Sequence, residues 1–188
     1  MVRRIGSNGS VSGAVINSPA TVVPILGKTM TLESIKKFEP LSAEKILLYG
    51  PEGWGKSTWA SKSKIPVFLS TEEGLKNISA QSFPEPETWS QMFEAIESLR
   101  TGVHKFETLV IDTADWTEHL CHKFILDRDN KNSIEEYGYG KGQVLAFEEW
   151  KKLLHPINQL RKEKGMNVIF LAHAQIKTFN NPSGDNFD

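Results

Sequence analysis

The chain has 188 residues, 39% hydrophobic and 24% charged, which is enough apolar material for one domain with a sizeable core and unlike a disordered polymer. Its formal net charge of −1 and pI near 6.5 exclude a broad basic face for nucleic acid, so any such contact has to be local, through loops. The single cysteine, Cys121, excludes an intrachain disulfide and points to a reducing compartment; no apolar run approaches the roughly 18 residues of a membrane helix, and the N-terminus, with Arg3 and Arg4, lacks a secretory-signal stretch.

Residues 1–40 read as an N-terminal arm, partly irregular. The first 30 or so are rich in Gly, Ser, Val and Pro with weak periodicity. "TLESIKKF" (Thr31–Phe38) then predicts a short helix, with Thr31 as N-cap and Glu33 in the positive first turn. Ser34 stands where a capping box wants Glu or Gln. Residues 41–188 read as one α/β domain. "KILLYG" predicts a short buried strand, "STWASKSK" a helix and "IPVFLS" (Ile65–Ser70) a second buried strand. "PETWSQMFEAIESLR" places Trp89, Met92, Phe93, Ile96 and Leu99 at helical spacing. "FETLVID" (Phe106–Asp112) is a third strand, "ADWTEHLCHKFIL" a helix, and "DRDNKNSIEEYGYGKGQ" a long polar loop. "LAFEEWKKLLHPINQLRKEKG" predicts a long helix bent near Pro156, and "MNVIFLAHAQ" (Met166–Gln175) a fourth buried strand. "IKTFNNPSGDNFD" reads as a loop with no capping element after it, so more of the domain is expected to follow. Trp89, Trp116 and Trp150 fall on apolar helical faces and are expected in the core. Strands alternating with amphipathic helices predict a mostly parallel sheet with helices on both faces and a ligand site at the carboxyl ends of the strands.

"GPEGWGKST" sits at such an end. It matches G-x-x-x-x-G-K-S/T at Gly50, Gly55, Lys56 and Ser57, between a predicted strand and a predicted helix. The stretch Gly50, Pro51, Glu52, Gly53, Trp54, Gly55, Lys56, Ser57, Thr58 is therefore expected to cradle a phosphate chain. Several backbone N–H groups must point inward at once, which favours glycine at Gly50, Gly53 and Gly55. Lys56 supplies a cation for the outer phosphates, and Ser57 a hard oxygen for Mg²⁺. In "TLVIDTAD", Asp112 lies at the tip of an apolar strand, where a carboxylate can order Mg²⁺, with Asp115 one turn on to assist. In "VFLSTEEGL", Glu72 and Glu73 follow a strand end, and Glu72, the nearer, is the candidate base for an attacking water. His173 and Gln175 follow the last strand and are candidates for sensing a γ-phosphate. Each has a plain alternative: Asp112 a helix cap, Glu72 a solvated acidic turn, His173 a satisfied core histidine. "EHLCHK" holds His119, Cys121 and His122, but no third ligand at zinc-like spacing, and reads as a helix surface.

The order P-loop strand, strand-Glu, strand-Asp, strand-x-Gln resembles the RecA-type ATPase core. Over about Leu41 to Gln175 the chain looks most like the small phage RecA-like ATPases of single-strand annealing and recombination, through "VFLSTEEGL", "YGYGKG" and "VIFLAHAQ". The resemblance implies a RecA-like P-loop fold, slow DNA-stimulated ATP hydrolysis, ATP and Mg²⁺ as cofactors, Lys56 and Ser57 on phosphate and metal, Asp112 on Mg²⁺, Glu72 as water base and Gln175 as sensor. It also implies homo-oligomers, single-stranded DNA as partner, a possible single-strand-binding protein, no membrane, and the cytoplasm, the host's if the chain is phage-encoded. RecA-type sites commonly take a cation from a neighbouring subunit; beyond the arm this chain has only Arg100, Arg128 and Arg161, with Lys177 as a substitute. The family's DNA-facing loops fall on "NSIEEYGYGKGQ" and "IKTFNNPSGDNFD". There Tyr137, Tyr139 and Phe179 offer stacking faces and Lys141 and Lys177 phosphate contacts. The other readings are a P-loop kinase with a small acceptor, a nucleotide-gated binding module with little turnover, and two ordinary loops whose aromatics pack on the domain.

Overall fold

In the computed structural model, which describes residues 31–35, 37, 43–72 and 78–174, the apolar runs assemble into one five-stranded sheet. The elements are β1 (Lys45–Gly50), α1 (Lys56–Ala60), β2 (Pro66–Ser70), β3 (Gln81–Ser82), α2 (Trp89–Thr101), β4 (Thr108–Asp112), α3 (Ala114–Asp129), α4 (Lys141–Lys164) and β5 (Asn167–His173). The strand order is β1-β5-β4-β2-β3, and every neighbouring pair is parallel. The fold is α/β, as the alternating pattern requires.

Period-two alternation divides the sheet's side chains between its faces. Val67, Leu69, Leu109, Ile111, Val168 and Phe170 join Met92, Ile96 and Leu99 of α2, Cys121 of α3, and Leu153, Ile157 and Leu160 of α4 in the main core. Phe68, Val110, Ile169 and Leu171 turn the other way and meet Ala60 of α1. Helices thus cover both faces, three on one and a short one on the other. α2 starts on a full capping box between Thr88 and Gln91.

Several expectations need correction. β1 is not buried: Leu47 is 61% and Tyr49 69% exposed. Among the described residues β1 pairs only with β5, and an edge strand cannot be enclosed as a central one is. Trp116 stands 47% exposed beside His119, with ring centroids 5.1 Å apart, while Trp89 is buried and Trp150 packs against the core. The long polar loop is shorter than its composition suggests, because α3 runs on to Asp129 and a 3-10 turn occupies Ile134–Tyr137. α4 starts at Lys141 and continues through Pro156. The sequence pattern missed β3, whose two residues are too few to show a period.

The chain divides into two units, Met1–Phe38 and Glu39–Asp188. In the first, the expected helix is a 3-10 turn, Leu32–Ser34; Thr31 makes no capping bond through its side chain, and Ile35 leaves in extended conformation. Residues 36 and 38 of that expectation lie outside the described residues.

The loop before α4 is pinned to the helix at Gly142, where a Cβ would lie 2.3 Å from the Ile134 carbonyl oxygen. Gly142→Ala is expected to lower stability by about 1–3 kcal/mol through forced displacement of the loop. Urea denaturation measures the loss.

Candidate functional site

The carboxyl ends of β1, β2, β4 and β5 surround a cleft of about 650 Å³ lined by Glu52, Gly53, Gly55, Lys56, Ser57, Thr58, Glu72, Ile78, Asp112 and His173. A parallel sheet brings these residues together because all its strands end on the same side.

The turn after β1 depends on two glycines. Gly53 and Gly55 both have φ of 77°, a left-handed conformation that side chains with a Cβ resist. Gly50 has no such need: a Cβ there would meet Trp54 Cε3 at 3.7 Å, an ordinary contact. Pro51 belongs to the cradle through its backbone, and Trp54 projects from the tip, largely exposed. Gly55 caps α1 without a side chain, so the leading N–H groups of α1 have no intrahelical acceptor. The Lys56 ammonium is buried and donates to the Gly50 and Pro51 carbonyl oxygens, each at 3.0 Å. A buried cation and a row of N–H groups around one hollow make an anion site.

Asp112 is 1% exposed at the end of the central strand β4. Ser57 hydrogen-bonds its carboxylate, while Oδ2 is buried with no partner among the described residues. Burial pushes the Asp112 carboxyl above its ordinary pKa; Ser57, His173 and Lys56 oppose that shift and the Asp115 charge adds to it. An orphaned buried carboxylate oxygen next to a hydroxyl is a hard-oxygen pair of the kind Mg²⁺ takes, so the residues present fit the metal. Among the described residues no cluster of three or more His, Cys, Asp or Glu forms a further metal site. Cys121 is fully buried, and burial, helped by the charges of Glu149 and Glu118, pushes its thiol up to about 12.

The β2 tip is fastened to the β4 tip. The Thr71 N–H donates to the Asp112 carbonyl at 2.8 Å, and the Thr113 N–H donates to Thr71 Oγ1 at 3.1 Å. The Ser70 hydroxyl bonds the Glu72 carbonyl at 2.7 Å. These bonds set Glu72 beside the cleft. Burial raises the Glu72 pKa, and Asp112, Asp115 and Glu52 raise it further against the pull of His173. Sequence reasoning passed over Ser70 and Thr71; the available signal was a pair of small hydroxyl residues at a strand tip, which can tie two strand ends together.

Asp115 does not turn towards the metal pair. Its Oδ1 accepts the His173 backbone N–H at 3.0 Å and its Oδ2 lies 2.8 Å from His173 Nδ1. Burial pushes the Asp115 carboxyl up, but the hydrogen bonds with His173 outweigh it and hold the group below its ordinary value. The other edge of the ring, Nε2, lies 4.0 Å from Glu72 Oε1.

Of the predicted site residues, the structure gathers Lys56, Ser57, Glu72, Asp112 and His173 in one cleft. Glu73, Gln175, Lys177 and Phe179 lie outside the described residues. Tyr137, Tyr139 and Lys141 lie apart, at the far end of α3, whose 16 residues span about 24 Å. The Tyr137 hydroxyl is engaged by Asp129 Oδ2 at 2.8 Å and the Ile125 carbonyl at 3.1 Å, whereas Tyr139, at φ 47°, is fully exposed. No helix among the described residues is long and apolar enough to cross a membrane.

A family model described as an AAA domain (AAA_24) matches residues 42–188. The SPbeta prophage-derived uncharacterized protein YorG of Bacillus subtilis (strain 168) is 26% identical over an alignment of 143 residues that covers 71% of this chain and 42% of that protein. The chain therefore spans about two fifths of that relative's length. A strand-turn-helix phosphate cradle, a buried carboxylate on the central strand and a family match over residues 42–188 agree: the chain belongs to the AAA-domain family of P-loop ATPases.

Proposed function

We propose that this chain hydrolyses Mg–ATP in the cleft and couples turnover to single-stranded DNA, in strand annealing or recombination of the phage type. The carrying observation is the placement of Glu72 and Asp112 on adjoining strand tips around the Lys56 turn. A kinase needs no water base there, because its acceptor hydroxyl comes with the second substrate; Glu72 at the cleft favours hydrolysis. The prophage origin of YorG supports the phage setting.

Mg²⁺, when bound, would supply positive charge against the phosphates. Ser57 and Asp112 would hold it, Lys56 would move from its carbonyl partners to the outer phosphates, and Glu72 would take the proton of the attacking water. Arg100 is paired with Glu97 and Glu163, Arg128 with Asp129, and Arg161 with the Ala43 carbonyl. With these arginines engaged elsewhere, a second cation on the phosphates would come from Lys177 or from a neighbouring copy, which supports a homo-oligomer.

The DNA contact is assigned to the loop before α4. Gly138 and Gly140 flank Tyr139 with positive φ, and the Tyr137 bonds fix the loop's base, so one tyrosine projects into solvent beside Lys141. A rigidly presented aromatic suits sequence-tolerant stacking. α3 runs from the Asp112 end of β4 towards this loop and so connects the two sites along the chain.

Lys56→Ala is expected to abolish the thermal stabilisation by Mg–ATP, which at a hundred times Kd amounts to about 2.7 kcal/mol, and to leave the protein folded. Glu72→Gln is expected to keep that stabilisation and to lower kcat by about 100-fold or more, read by phosphate release with and without single-stranded DNA. A wild-type rate at background with every polymer would refute the hydrolase reading. Tyr139→Ala is expected to weaken single-stranded DNA binding by roughly 5- to 150-fold in filter binding, the equivalent of about 1–3 kcal/mol of stacking, with nucleotide binding unchanged.

A further inference from the structure

His173 closes the cleft between two carboxylates, and its two ring nitrogens meet different surroundings. Nδ1 lies 2.8 Å from Asp115 Oδ2, and the neighbouring backbone N–H of His173 donates to Asp115 Oδ1 at 3.0 Å. One carboxylate thus grips both the ring and the chain of the same residue, which fixes ring position as well as orientation. An ionised carboxylate only accepts, so the Nδ1 edge must carry the proton. In that tautomer the ring presents a bare Nε2 lone pair towards Glu72, 4.0 Å from Oε1. That distance is too long for a direct hydrogen bond and suits one water that donates to both acceptors at about 2.8 Å each.

We infer that Asp115 is a positioning residue that locks His173 as the Nδ1–H tautomer, so that His173 Nε2 and Glu72 hold the attacking water by its two hydrogens. The inference rests on the hydrolase reading above. With both hydrogens held, a water lone pair is left free for the γ-phosphorus. As the new O–P bond forms, the O–H bond towards Glu72 breaks and its proton passes to that carboxylate. The bond from the γ-phosphorus to the bridging oxygen breaks and its electron pair leaves with ADP. The proton on Glu72 then returns to phosphate or solvent. His173 Nε2 acts only as an acceptor.

The discriminating substitution is Asp115→Asn. Asparagine can still accept the backbone N–H, but its amide donates to Nδ1 and so forces the Nε2–H tautomer. The residue beside Glu72 changes from acceptor to donor while the shape of the site is kept. An analogous exchange in serine-protease triads preserves geometry and lowers turnover by about four orders of magnitude. Two readouts on the full chain test the idea. Nitrogen-15 imidazole spectra, with the His173 signal assigned through His173→Gln, should show the Nδ1–H tautomer in the wild type and Nε2–H in Asp115→Asn. Steady-state kinetics should show kcat reduced by about tenfold or more, KM for ATP and the thermal midpoint within about twofold and a few degrees of wild type, and partial recovery in Asp115→Glu. An Nε2–H tautomer in an active wild type, or an Asp115→Asn variant with wild-type kcat, overturns this inference and leaves the ATPase standing. A wild type with no turnover removes the hydrolase reading and the water-holding role with it.

Discussion

The site depends on one buried carboxylate. Asp112 ends a strand whose every residue is buried, and its Oδ2 has no partner among the described residues. A charge in that position is unfavourable unless something opposite in sign comes to it. The fold keeps the carboxylate there because β4 is held between β2 and β5, each in parallel register along its length. The electrostatic deficit at the strand tip is what a bound cation would offset. Metal binding would relieve a penalty that the apo fold carries, and burial already shows that penalty by raising the Asp112 pKa.

Around that carboxylate the cleft is built by bonds between strand tips. Thr71 and Thr113 join β2 to β4, and Asp115 and His173 join the start of α3 to the end of β5. Strand ends and the residues just beyond them are ordinarily the loosest part of a sheet. Here short side chains and backbone groups cross-link them, and Glu72 Oε1 and His173 Nε2 lie 4.0 Å apart. Such supports convert a row of strand ends into a site with defined geometry.

The helical layer has its own tie. Glu149 of α4 is almost fully buried, accepts from the Trp89 indole at 3.2 Å, and pairs with Lys152 while Arg128 approaches at 3.9 Å. It therefore connects α2, α3 and α4 at one point. α3 has the nucleotide site at its start and the exposed Tyr139 loop beyond its end, so its attachment to α4 through Glu149 bears on how the two ends are held relative to each other.

The sequence by itself determined the elements with a strong period or a strict chemical demand. β2, β4 and β5 are uninterrupted apolar runs, α2 keeps its stripe from Trp89 to Leu99, and the Gly-Lys turn needs left-handed backbone at Gly53 and Gly55. These are local requirements, readable without knowing what packs on what. Only the tertiary structure decided which partner each polar group would meet. The exposure of Leu47 and Tyr49 depends on β1 lying at an edge, and no pattern inside "KILLYG" encodes an edge. Tyr137 and Tyr139 look alike in "YGYG", yet one is held by Asp129 and the other faces solvent, because α3 runs far enough to present Asp129 to the first. Asp115 reads as an aid to Asp112 from its spacing, and in the structure it bonds His173 of β5 instead. Spacing along a chain fixes which residues lie near one another locally, whereas the bond between Asp115 of α3 and His173 of β5, 58 residues apart, is set by how helix and sheet pack, which exists only once the sheet has formed.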